Sequence, residues 1–149
     1  MTVAEKIPTL EPAEKEARRE EWVDAVDRLI ADVVEWSQLE GWEVLARSRK
    51  TDRDLASEEH SFPVIEIDAH PQDVRSGRDV KLILEPMTYN PATETGRIDF
   101  YVWPAMYRVR LIRKPGQNEW TVKTDSGLDW PHSWNRESFA QIARGLLSA

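Results

Sequence analysis

The 149-residue chain contains no cysteine. That excludes disulfides, thiolate zinc sites and thiol nucleophiles together. Glycine is scarce, with six in all. No glycine-rich phosphate loop, dinucleotide fingerprint or Gly-x-Ser-x-Gly turn occurs, so ATP, NAD and flavin sites of the usual kinds are not expected, and no cofactor is. Long apolar runs are missing too. Apolar runs extend only a few residues, as in Leu82-Ile83-Leu84, whereas a membrane-spanning helix needs about 20 such residues. Met1 to Leu10 carries Glu5 and Lys6 and lacks the apolar stretch of a secretory signal. A cytoplasmic location without a membrane partner is the expectation.

Charge is abundant but uneven. Charged residues make up 32% of the chain and the net charge is −7. Residues 1–40 hold 11 acidic and 5 basic side chains, and residues 41–149 hold 16 and 15. The acidity thus belongs to the N-terminal part, which would repel a polyanion, so nucleic acid is an unexpected partner. The length suits one domain over 1–149 with a short flexible tail at 1–9, and a core that removes about 70% of the unfolded surface from water.

Periodicity then divides the chain. Trp22, Val26, Leu29, Val33 and Trp36 recur at three- and four-residue steps, with Val23, Ile30 and Val34 widening the stripe. Pro12 suits a first helical turn and Gly41 a C-terminal stop. A helix this long overhangs a compact domain, and its start, Glu11 to Glu21, offers only alanines for burial. That start is expected to fray, project or lie against another subunit. After Gly41 the period falls to two. Strands are expected at about 42–50, around Phe62–Ile67, at Val80–Glu85, at Arg97–Trp103 and Ala105–Lys114 either side of Pro104, and at Glu119–Thr124. A last helix, from about Ser133 to Leu147, buries Phe139, Ile142, Ala143 and Leu146. Helix, five or six antiparallel strands and helix make a two-layer α+β fold, with the long N-terminal amphipathic helix packed on the sheet and a short C-terminal helix beside it or at an edge.

Four constellations are candidates for function. Glu66, Asp68 and His70 alternate along a strand, which places two carboxylates and an imidazole in one row, a donor set suited to a divalent metal. The plainer reading is a solvated strand face with its carboxylates paired to Arg or Lys. Asp73 followed by Asp79-x-Lys81 resembles the acidic set of metal-dependent nucleases, where carboxylates hold Mg²⁺ and a lysine meets the attacking water; the spacing is a loose match. Arg108 and Arg110 share one strand face and suit an anion or RNA, unless they pair across strands with Glu66, Asp68, Glu85 or Asp99. Tryptophan is the most unusual feature, with seven residues. Trp22, Trp36, Trp42 and Trp120 fit core positions. Trp130-Pro131-His132-Ser133-Trp134 reads as a loop before a helix, where Trp130, His132 and Trp134, with Tyr101 and Trp103, would line a cleft or anchor a partner; the plainer reading has the loop fold back as a satellite core.

In size, acidity and placement of an amphipathic N-terminal helix, the chain is similar in outline to dimeric secretion chaperones. It departs from them in its uninterrupted strand run without a central helix. The expected function is a non-catalytic protein-interaction or chaperone-like module, homodimeric. The alternatives are a metal-dependent hydrolase built on Glu66, Asp68 and His70, and an anion or RNA binder using Arg108 and Arg110.

Overall fold

The computed structural model describes residues 12–47, 62–74, 79–87, 96–104, 107–113, 119–124 and 133–148. It contains one long helix, six antiparallel strands in one sheet and a C-terminal helix, the α+β arrangement expected from periodicity. In chain order these are α1 (Pro12–Leu39), β1 (Glu43–Arg47), β2 (Val64–Asp68), a single 3-10 turn (Pro71–Asp73), β3 (Lys81–Pro86), β4 (Arg97–Trp103), β5 (Arg108–Ile112), β6 (Thr121–Thr124) and α2 (Arg136–Ser148). The strands lie side by side in sequence order, each antiparallel to the next. No helix among the described residues is long and apolar enough to cross a membrane.

α1 spans 28 residues, about 42 Å at 1.5 Å per residue. Its first residues, Pro12 to Ala17, are exposed wherever the side chain is described, in keeping with the lack of apolar groups there. The stripe begins at Trp22. Trp22, Ala25, Val26, Leu29 and Val33 are buried, and Trp36 is half-buried against the core. The helix ends in a Schellman motif. Gly41 takes φ +83°, Trp42 N–H donates to Ser37 C=O at 3.0 Å, and Gly41 N–H donates to Gln38 C=O at 3.0 Å. Glycine adopts that left-handed backbone without a Cβ clash, and the two bonds satisfy carbonyls that the helix end leaves free.

α1 crosses the sheet. Near its start Trp22 packs against Trp120, just before β6, with ring centroids 5.5 Å apart; at its end it packs on β1. α2 lies beside α1, over β3 and β4. Its first turn is closed by a reciprocal cap. Asn135 Oδ1 accepts from Ser138 N–H at 2.8 Å, and Ser138 Oγ accepts from Asn135 N–H at 2.8 Å, so one residue pair satisfies two backbone donors. α2 then buries Phe139, Ile142, Ala143, Leu146 and Leu147.

The inward phase of every strand meets these helices. Ile65, Ile67, Leu82, Leu84, Ile98, Phe100, Val102, Val109, Leu111 and Val122 are all buried. β1 falls within the stretch expected at 42–50, and positions 48–50 lie outside the described residues. The stretch 97–114 does break at Pro104: β4 ends at Trp103, β5 begins at Arg108, and Val102 N–H donates to Tyr107 C=O at 3.0 Å between them.

One buried cation ties the start of α1 to the end of β5. The Arg113 side chain is 5% exposed, and its Nη2 lies 2.9 Å from Glu21 Oε1. Replacing Glu21 by Gln leaves the guanidinium in place without its countercharge. The expected loss is about 1 kcal/mol, modest because Glu21 is partly in solvent. Arg113→Met, which removes the buried charge itself, is expected to cost less. Urea unfolding of both variants checks the order; Arg113→Met being the more harmful would contradict it.

Candidate interaction surface

Both helices lie on one side of the sheet, so the opposite, outer face carries the second phase of each strand. Its side chains follow from the register. One row runs Leu45, Glu66, Ile83, Tyr101, Arg108 across β1 to β5. A second runs Glu85, Asp99, Arg110, Lys123 across β3 to β6. Glu43 faces Asp68, and Lys81 faces Trp103. Cross-strand neighbours on one face are close enough for ion pairs and ring contacts.

The charges on this face are largely matched. Glu66 is paired with Arg47 and, at 3.2 Å, with Lys81 Nζ. Asp99 is buried; Arg97 Nε lies 3.5 Å from its Oδ1 and Arg108 Nη1 lies 3.4 Å from its Oδ2. Arg110 stands directly opposite Asp99 on β5. Tyr101 donates its hydroxyl to Glu85 Oε1 at 2.9 Å. Asp99 reaches burial on a face without helices because long side chains from its own and the neighbouring strand lie over it.

The row of Glu66, Asp68 and His70 is not gathered into one centre. Glu66 is held by two cations, Asp68 is exposed opposite Glu43, and His70 has left the strand. His70 caps the 3-10 turn, its Nδ1 accepting from Gln72 N–H at 3.3 Å, with Pro71 starting that turn. Among the described residues, no group of three or more His, Asp or Glu side chains is placed to hold a metal ion. Asp73 is engaged elsewhere: its Oδ2 accepts from Trp42 Nε1 at 2.9 Å and its Oδ1 lies 3.8 Å from Arg144 Nε. Arg144 also pairs with Glu40 and lies over the Trp42 ring, 5.7 Å from its centroid. This knot fastens α2 to the α1–β1 turn. Lys81, the third member of the nuclease-like set, is paired with Glu66, and Asp79 is exposed before β3.

Arg108 and Arg110 do share the outer face, with Asp99 between them and Arg97 nearby. The aromatic candidates part company. Trp103 is 52% exposed at the outer end of β4. Trp134 turns to the helix side, half-buried, with ring centroids 6.1 Å from Trp36, 5.9 Å from Phe100 and 5.8 Å from Phe139. The two therefore lie on opposite faces of the sheet. Trp130 and His132 lie outside the described residues.

The α1 surface adds one perturbed group. Burial pushes the Asp32 carboxyl above its ordinary range, Glu35 adds to the rise, and Arg28 offsets part of it. A raised carboxyl binds its proton more tightly in the folded chain, so the ionised group opposes folding at neutral pH and stops doing so as pH falls through its pKa. Solvent screening keeps the effect small at this exposed position.

Three exposed apolar residues were absent from the sequence candidates, one of them Tyr107, 55% exposed just before β5. Leu45 is 51% exposed in β1, and Leu39 is 57% exposed at the end of α1. The signal for Leu45 was present: it shares the polar phase of β1 with Glu43 and Arg47. β1 is also the most exposed strand, with only Val44 half-buried. It lies at one edge of the sheet, and among the described residues no strand pairs with its outer side. The β6 edge is partly closed, since Thr121 bridges Ser133 and Trp134 N–H donates to Trp120 C=O at 3.2 Å. The chain matches no family model, no curated protein and no solved structure.

Proposed function

We propose that this chain is a non-catalytic protein-interaction module acting as a homodimer. The carrying observation is the character of the outer sheet face and its β1 edge. There Leu45 and Trp103 stand more than half exposed, and Trp103 continues a patch begun by the Ile83–Tyr101 cross-strand pair. Isolated exposed apolar side chains are ordinary. Leu45 lies on the unpaired β1 edge and the Ile83–Tyr101–Trp103 patch on β3 and β4, with Glu66 of β2 between them; an unpaired edge and an exposed apolar patch are each suited to docking. The pairing of the candidate metal and catalytic groups supports the same reading: Glu66 with Arg47 and Lys81, and Asp73 with Trp42 and Arg144.

Sedimentation equilibrium from about 1 to 300 µM, a range that brackets weak and moderate dimers, tests the homodimer. The expected result is a mass rising toward twice the 17.3 kDa of the chain. A constant single-chain mass over that range would overturn the homodimer.

A further inference from the structure

Resting on the homodimer reading, we infer that two copies join edge to edge through β1, antiparallel, with Leu45 on the two-fold axis. β1 is an edge strand whose outer side no strand pairs among the described residues, whereas β6 is bridged at Thr121, and β1 is five residues long. A two-fold axis perpendicular to the sheet sets like-facing residues opposite one another. The helices of both copies then stay on one side and both outer faces on the other, as a continuous sheet of twelve strands, six from each copy, requires.

The charges of the segment Glu43-Val44-Leu45-Ala46-Arg47 select the register. With Leu45 on the axis, Glu43 meets Arg47 of the second copy, and Arg47 meets Glu43 of the second copy. Val44 meets Ala46, and Leu45 meets itself. Opposite charges directly across a strand pair stabilise it, and like charges oppose it. Moving the axis to Glu43 or to Arg47 sets like charges against each other. Moving it to Val44 or Ala46 pairs Glu43 or Arg47 with Leu45 and forfeits both ion pairs. The chosen register also covers Leu45, which otherwise stands 51% exposed between two charged neighbours. Arg47 can be shared in this way because Glu66 keeps Lys81 at 3.2 Å. Pairing over so short a strand makes a small interface, so reversible association with a dissociation constant on the order of micromolar is expected.

Sedimentation velocity on four proteins and one mixture tests the inference. Glu43→Arg and Arg47→Glu each oppose like charges twice in the homodimer, so each alone is expected to associate at least ~10-fold more weakly than the original chain. In an equimolar mixture of the two variants, every opposed pair is again of opposite sign, and a heterodimer is expected. Leu45→Lys sets two cations on the axis at a solvent-facing position; it is expected to be monomeric, with a thermal melt matching that of the original chain diluted below its dissociation constant, and it keeps the test decisive if Arg47→Glu, which also faces Glu66, unfolds. If the original chain dimerises and Leu45→Lys and Glu43→Arg dimerise equally well, the interface lies elsewhere and the β1 pairing is wrong, while the homodimer stands. If both charge variants are folded and their mixture stays monomeric, the register is wrong. If the original chain is itself monomeric, the homodimer reading fails, and the pairing with it.

Discussion

Phe139→Ala is expected to lower stability by about 3–5 kcal/mol, a large share of the 5–15 kcal/mol that holds a typical domain together. The reason is where α2 places the ring. The Asn135–Ser138 cap closes the first turn, and Phe139 N–H donates to Asn135 C=O at 2.8 Å. The side chain, 1% exposed, then enters a nest of other rings. Its centroid lies 5.6 Å from Trp36 on α1, 6.2 Å from Trp42 at the start of β1, 5.8 Å from Phe100 on β4 and 5.8 Å from Trp134 before α2. One side chain therefore joins both helices to the sheet. Large planar neighbours cannot collapse into the space that alanine leaves, so the cavity cost adds to the lost transfer energy. The melting temperature is expected to fall by roughly 6–20 °C. Phe139→Leu, which keeps most of the volume, is expected to lose less than half as much. Guanidinium unfolding followed by tryptophan emission measures both. A loss below about 1 kcal/mol for the alanine variant would show that the nest is not the centre of the core.

The position of Phe139 on the buried stripe of α2 was legible along the chain, and so was the stripe of α1. Both follow from the 3.6-residue period, which a linear sequence displays directly. The strand faces were legible too: Leu82 and Leu84 inward, Lys81, Ile83 and Glu85 outward. The fate of the outward groups was not. Alternation puts Glu66, Asp68 and His70 on one side only while the strand lasts, and β2 ends at Asp68. Pairing partners depend on register, which relates residues far apart in sequence. Nothing near Glu66 along the chain announces Arg47 or Lys81, and nothing near Asp99 announces its burial. Trp134 was open to two readings because a loop residue has no period to assign its side. The backbone bond from Trp134 to Trp120 turns it toward the helices, away from Trp103. Leu45 shows the opposite limit. Its outward phase was readable, but exposure of that phase matters only once β1 is known to be an edge.

Gly96→Ala is expected to destabilise the fold by about 1–3 kcal/mol, through overpacking. Gly96 is buried immediately before β4, and its place against Trp22 leaves no room for a side chain. A Cβ built there would lie 2.5 Å from Trp22 Cη2, 2.5 Å from Cζ2 and 2.8 Å from Cε2. Those atoms belong to a rigid indole that is 4% exposed and backed by Trp120 at 5.5 Å. The ring cannot bend at its far end as a flexible chain would, so the helix or the β4 entry must shift. The two sites should therefore couple. Trp22→Leu alone is expected to cost stability by leaving a void beside Trp120, while Gly96→Ala in that background adds a methyl where the indole no longer stands. A double-mutant cycle from urea unfolding should give the pair a cost smaller than the sum of the two singles, by at least ~0.5 kcal/mol. Strict additivity would mean that Gly96 is required for some reason other than the approach of Trp22, and the packing of α1 at the start of β4 would have to be drawn differently.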